Sequence, residues 1–399
     1  RLARHINHEN YTHIRMDIED GKAVKAALTL MYGSLCFGIP DLWYTDYVLI
    51  IGANPLVSHG SSISEPRVAM ALKDIRKRGG QVVVIDPRRT ETAKGNTHIP
   101  IQAGSDPYLM SALINEVIEQ GWVDKSFVES HTSGYEALKQ VVRGCTPEWA
   151  ETHSGIPAST IRQIARDFAT TKRACIHYRL GTSITRFGTL TTMLINCLIV
   201  VTGHLGREGG NKFSAGIIDG SKFGGGTIGE NPGRASGLPD VGGTLPSLSM
   251  IKDIETPGPE QVKALLMIAA NPCLTSTGAG PKMDAAMQKL DLFVSLDLYM
   301  NDTNRFADYI LPSAGMFERE DIPLLGFVEM LRPTLFATEA VIPKQGESRE
   351  DWEILDEICR RLGHGSTLPL RPVRILAKMG LRVKPRHLMD LMIRTSSVG

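Results

Sequence analysis

No two of the six cysteines, at 36, 145, 175, 197, 273 and 359, are spaced as CxxC or CxxxC. The sequence therefore carries no signature for a zinc site or an iron–sulfur cluster. Cys175 and Cys197 lie in apolar runs and read as buried hydrophobes. A reducing compartment is the simpler default for such scattered cysteines, so the expected location is cytoplasmic, with the periplasm as the alternative. The longest apolar run, residues 193–201, falls well short of the roughly 20 residues needed to span a bilayer, and no secretory signal pattern is found. Neither sign of charge dominates: 44 Lys and Arg face 43 Asp and Glu, a net charge of +1, which gives no electrostatic case for nucleic acid. A GxGxxG motif is also missing, which disfavours an ordinary nicotinamide site.

What the chain does contain is alternation of strands and helices over 399 residues, enough for roughly two or three domains. Hydrophobic residues make up 42% and charged residues 22%, the balance of a folded globular protein. Residues 1–45 hold one helix, with Val24, Leu28 and Met31 on a shared face; His5, His8 and His13 before it read as solvated. Residues 46–206 read as an α/β dinucleotide-binding domain. Residues 207–363 read as a second α/β domain that starts with a long Gly-rich loop, and residues 364–399 as a basic tail. Strands are expected at 47–51, 81–85, 173–178, 264–269, 292–296 and 307–311. The expected fold class is α/β with doubly wound sheets. The chain starts on Arg1 in mid-segment and stops with no element completed, so it reads as an excerpt of a longer protein.

The organising stretch is 46–106. Residues 47–51 and 81–85 are continuous β-branched runs, as expected of parallel strands buried on both faces. Between them Val68, Leu72 and Ile75 recur at helical spacing, after a start at Ser64 or Pro66. Ligands on such sheets sit beyond the carboxyl ends of the strands. At the first end, Gly52 allows close backbone approach, Asn54 offers donor and acceptor together, and Ser58, His59 and Ser61 add polar groups. At the second, Asp86 could read a ribose hydroxyl, and Arg88 and Arg89 could pair with phosphate. Asp106 follows Gly104 and Ser105. It could accept two hydrogen bonds from a guanine, or cap the helix over 107–120, in which case Ser105 competes for the cap. Further helices are expected at 161–168, capped by Ser159 or Thr160, at 190–201, and at 350–362 with Trp352, Leu355 and Ile358 on one face. The pairs Asn54-Pro55 and Asn271-Pro272 both follow a strand, which hints at two related sheets serving one ligand.

Taken in order, GANPxxSH from Gly52, IDPRRTETA from Ile85, and the Gly104-Ser105-Asp106 turn resemble the molybdopterin oxidoreductases of the dimethyl-sulfoxide-reductase superfamily. VTGHLGREGG (201–210), ADYILP (307–312) and GESREDW (346–352) extend the resemblance to about residue 362. It implies two Rossmann-like domains, one inserted in the other. It also implies a bis(molybdopterin guanine dinucleotide) cofactor carrying molybdenum or tungsten. Gly52, Asn54, Ser58, His59, Asp86, Arg88, Thr90, Gly104 and Asp106 would hold one guanosine diphosphate arm, and Gly181 would line the pterin. Asn271, Asp297, Arg319 and Asp351 would serve the second arm. The implied activity is two-electron chemistry on a small-molecule substrate, with electrons passed to an iron–sulfur cluster and on to an electron-transfer partner or subunit. The departures are specific. The family's cluster-binding cysteines and metal-ligating residue would lie upstream of Arg1, and Cys36 falls too late to stand in for the ligand. Thr185 stands where many relatives carry Gln, and no catalytic or metal residue is assigned within the chain. Two alternatives stay open: a non-catalytic scaffold subunit of the same fold in an electron-transfer complex, and an unrelated nucleotide-binding α/β enzyme.

Overall fold

The computed structural model describes residues 14–15, 19–34, 36–214, 227–276, 279–323, 329–332, 334–363, 375, 379 and 383–394. His5, His8, His13 and most of the basic tail lie outside the described residues. The chain divides into two compact units: Asp20–Gly226 with Leu325–Thr334, and Arg1–Glu19 with Thr227–Leu324 and Leu335–Gly399. Among the described residues no helix is long and apolar enough to cross a membrane.

The first unit is built on four parallel strands: β1 (Tyr47–Ile51), β2 (Gln81–Ile85), β3 (Thr97–Ile99) and β4 (Ala174–Tyr178), in the order β3-β2-β1-β4. Its longer helices are α1 (Glu19–Tyr32), α2 (Val68–Lys77), α3 (Asp106–Glu119), α4 (Ala158–Thr170) and α5 (Gly188–Val201), and the shorter ones include Pro147–Ser154 just before α4. The two-residue period of a strand sorts the side chains. Tyr47, Leu49, Ile51 and Ile176 pack under α3, α4 and α5, whereas Val48, Ile50, Val84 and Cys175 pack against Val68, Leu72 and Ile75 of α2. Both faces are covered, which is why β1 and β2 read as unbroken apolar runs. Each fully buried Ile or Leu contributes on the order of 1.5–3 kcal/mol.

Several local expectations need correction. Ser64 and Pro66 lie in turns before α2, which starts at Val68. Helix α4 starts after Pro157, not at Ser159 or Thr160, and its first free amide, Ala158 N, donates to Glu151 Oε2 at 2.9 Å. Residues 180–183 form a short helical turn. The long 207–260 stretch contains the strands Asn211–Lys212 and Thr244–Leu245 and the helix Ser249–Glu255.

The second unit has three parallel strands, β5 (Ala264–Ile268), β6 (Leu292–Asp297) and β7 (Tyr309–Pro312), in the order β7-β6-β5. Met267 and Phe293 meet Met250, Ile254 and, from α6 (Gly280–Met287), Met283 and Met287 in its core. Helix α7 (Asp351–Arg361) opens with a reciprocal capping box of Glu350 and Glu353. Its most buried apolar positions are Ile354 and Cys359 rather than Trp352, Leu355 and Ile358.

Candidate functional site

Strand order reverses direction between β1 and β4, with β2 on one side of β1 and β4 on the other. Crevices at such switch points, beyond the carboxyl ends, are where open α/β sheets bind ligands. Two glycines meet there. Gly52 has φ +54°, and a Cβ on it would lie 2.8 Å from Gly181 C and from Thr182 N; a Cβ on Gly181 would lie 2.6 Å from Gly52 Cα. Gly181 N donates to Gly52 O at 3.0 Å. Both glycines are therefore required by each other, whatever binds above them.

Asn54 is spent on its own loop. Its Oδ1 accepts from Thr92 Oγ1 at 2.8 Å and Thr92 N at 3.2 Å, and its Nδ2 donates to Glu91 Oε2 at 2.7 Å. Thr92 Oγ1 in turn accepts from Leu56 N at 3.2 Å. The hydrogen bond from Asn54, with the Arg88 charge nearby, holds the Glu91 carboxyl below its ordinary range. Ser58 and His59 are exposed and end the short helix Pro55–Ser58 rather than facing a helix N-terminus; His59 is left-handed at φ 51°. Thr90 is buried and its Oγ1 accepts from Ala93 N at 3.2 Å. Arg88 points into solvent, 3.5 Å from Glu91. Asp86 Oδ1 accepts from Arg88 N at 2.9 Å.

Asp106 differs from all of these. It is only 5% exposed, at the first position of α3, with the open turn of Gly104 (φ +80°) just before it. The expected capping by Ser105 does not occur, because its hydroxyl donates to Gln102 O at 2.6 Å. Apart from its own amide, no donor reaches the Asp106 carboxylate among the described residues. Burial, with the Asp86 carboxylate adding to it, pushes the acid up to about 6. Asp86 and Asp106 thus feel one another across the strand ends, one solvated and one enclosed.

The second unit repeats the loop. Asn271 Oδ1 accepts from Thr303 Oγ1 at 2.8 Å and Thr303 N at 3.1 Å, its Nδ2 donates to Asp302 Oδ2 at 3.3 Å, and Cys273 N donates to Thr303 Oγ1 at 2.9 Å. Residue for residue, Asp86, Thr90, Glu91 and Thr92 correspond to Asp297, Asn301, Asp302 and Thr303. Asp297 Oδ2 accepts from Asn301 Nδ2 at 3.0 Å, and Asn301 Oδ1 accepts from Thr303 N at 2.9 Å, so Asn271 and Asp297 belong to one network. Asp351 accepts from Ser313 Oγ at 2.5 Å, just beyond β7. Arg319 joins none of these groups; its Nε is buried without a partner. Thr92 and Thr303 escaped notice in the sequence. The signal was there, an acid-Thr pair after each second strand, visible once the two Asn-Pro turns are superposed. Thr92→Val and Thr303→Val should each cost on the order of 1–3 kcal/mol, because each strands a backbone amide and removes one of the two hydrogen bonds that an Asn carbonyl accepts. Thermal denaturation checks this, and an unchanged midpoint in both variants would contradict it.

Among the described residues no three His, Cys, Asp or Glu side chains stand together as a metal site. The family model of molybdopterin oxidoreductases matches residues 8–361. The chain is 27% identical to the F420-dependent formate dehydrogenase subunit alpha of Methanocaldococcus jannaschii, covering 89% of this chain and 54% of that protein. It is 30% identical to formate dehydrogenase H of Escherichia coli, covering 83% and 47% respectively. Acetylene hydratase from Pelobacter acetylenicus shares the fold at a TM-score of 0.71 and 20% identity, over 92% of this chain and 54% of that one. The chain spans about half the length of the curated relatives it matches.

Proposed function

The chain belongs to the molybdopterin oxidoreductase family, and from that premise we propose that it supplies two α/β domains of a larger bis-pterin molybdenum or tungsten oxidoreductase. Each unit serves as a Rossmann-like domain, one inserted in the other, and each holds one guanine dinucleotide arm at its carboxyl-end loops. The observation that carries this proposal is Asp106, an enclosed carboxylate at the end of a parallel sheet with no donor beyond its own amide among the described residues. Guanine presents two adjacent N–H donors, the complement such a carboxylate needs. Gly52 and Gly181 keep the floor of the crevice free of side chains, while Arg88 and Arg89 supply charge for phosphate. The repeated Asn–Thr loops hold both sites in the same shape, with Asp297 and Asp351 flanking the second and Arg319 offered as its cation.

The bound cofactor would supply two-electron chemistry with transfer of an oxygen atom or hydride; this chain's residues would bind and orient it. The iron–sulfur cluster and metal ligand would come from sequence upstream of Arg1. A relative named as an alpha subunit supports a partner subunit that takes up electrons. Metal analysis of the complete protein tests the assignment. Close to one molybdenum or tungsten atom per chain is expected; less than about a tenth would turn the reading towards a non-catalytic scaffold.

A further inference from the structure

A second group of side chains at the switch point takes no part in the loops above. Strand alternation puts Cys175 and His177 on one face of β4, with Ile176 and Tyr178 on the other, where they pack under the helices; Arg179 follows the strand in extended backbone, which continues the alternation. The segment 329–332 lies on the His177 face: Leu331 packs into the core that holds Cys175, and Ser214 Oγ donates to Met330 O at 2.7 Å. Arg332 stacks over Trp43 and Tyr44, with ring centroids at 5.7 and 5.9 Å, which pins the segment.

One unsatisfied nitrogen and two charged groups without an ion pair among the described residues result. His177 is 3% exposed and its Nε2 has no hydrogen-bond partner. Burial, reinforced by the Arg179 charge, pushes it down to about 3, so it stays neutral. The Arg179 guanidinium is half-buried and makes no ion pair or side-chain hydrogen bond among the described residues. Glu329 feels the Arg179 charge yet forms no ion pair with it; burial raises its carboxyl, and the Arg179 charge opposes that rise. A half-enclosed guanidinium without an anion, beside a buried imidazole nitrogen without a partner, forms a receptor for oxygen atoms carrying negative charge.

We propose that the carboxyl end of β4 is an oxyanion site, in which Arg179 grips two oxygens of a carboxylate or phosphate and His177, as its Nε2–H tautomer, donates to the same anion. The inference uses residues that the cofactor proposal leaves out; it stands apart from that proposal if the anion is a free carboxylate and deepens it if the anion is a phosphate of the cofactor. Binding needs no covalent step: the anion replaces water on Arg179.

Calorimetric titration of the complete protein with sodium formate, and separately with inorganic phosphate, tests it. Wild-type protein binds at least one of them. Arg179→Gln weakens that binding by roughly tenfold or more, and Arg179→Lys weakens it less, because a point charge cannot fork. His177→Gln, which keeps a donor, retains most of the affinity. Formate binding with cofactor in place identifies a free small carboxylate; phosphate binding only after the cofactor is stripped identifies a phosphate of the cofactor itself. No heat from either anion in wild-type protein, or equal affinity in a folded Arg179→Gln variant, overturns the site. Loss of nucleotide in an Asp106 variant with anion binding intact separates this proposal from the cofactor assignment.

Discussion

Gly52→Ala lowers the melting temperature of the first unit by about 4–20 °C. Two independent costs combine. A side chain at φ +54° sits in the left-handed region, at about 1–2 kcal/mol for a residue with a Cβ. The added carbon also overlaps the backbone of Gly181 and Thr182, and such overpacking typically costs about 1–3 kcal/mol. For a unit of this size each kcal/mol is worth about 2–4 °C. Gly181→Ala meets the same contact from the other side, without a positive φ, and should cost somewhat less. Because both substitutions break one contact, their effects in the double variant should fall short of additive. A melting curve of Gly52→Ala within about 2 °C of wild type would show that the crevice floor adapts, and the two strand ends would then not be locked as described.

Asp106→Asn should stabilise the ligand-free chain and weaken its hold on cofactor. The folded-state acid sits near 6 against an ordinary 3.8. A carboxyl raised in the folded state binds its proton more tightly there than when unfolded. Its contribution is therefore favourable below about pH 4 and is lost as pH climbs towards 6. The loss amounts to on the order of 3 kcal/mol at neutral pH. Asparagine carries no charge to desolvate, so the variant should keep its stability between pH 4 and 7 where the wild-type chain declines. A guanine faces the opposite change: the amide can accept one N–H but presents its own donor to the second. Losing a charged hydrogen-bond partner costs about 1.5–3 kcal/mol, a drop in affinity of at least tenfold. A variant that gains stability and retains cofactor as well as wild type would mean that Asp106 is local structure only.

The sequence was most readable where burial is complete. β1 and β2 could be bounded to the residue because both faces of each strand meet apolar partners. Helix α5 was found within a couple of residues of its observed start. Positions whose partner is distant in the chain were less readable. Gly52 was identified, but as a place for a ligand to approach; its backbone contact with Gly181 depends on two strands 120-odd residues apart lying side by side. The start of α4 was misplaced because its acceptor, Glu151, comes from the preceding helix. Asn54 looked like a ligand group because nothing local reveals Thr92 as its partner. His177, enclosed within an apolar strand, gave no sign that its nitrogen would lack a partner. Only half of the internal repeat, the Asn-Pro turns, stood out; the acid-Thr pairs that complete it differ in their flanking residues, Arg89 and Thr90 in one and Met300 and Asn301 in the other.

The central claim is that these strand ends hold guanine dinucleotides. It is tested most directly by denaturing the complete protein as isolated and identifying the nucleotides released by chromatography. The account predicts guanine nucleotide, approaching two per chain, and no adenine dinucleotide. An adenine dinucleotide in stoichiometric amount, with guanine absent, would contradict it.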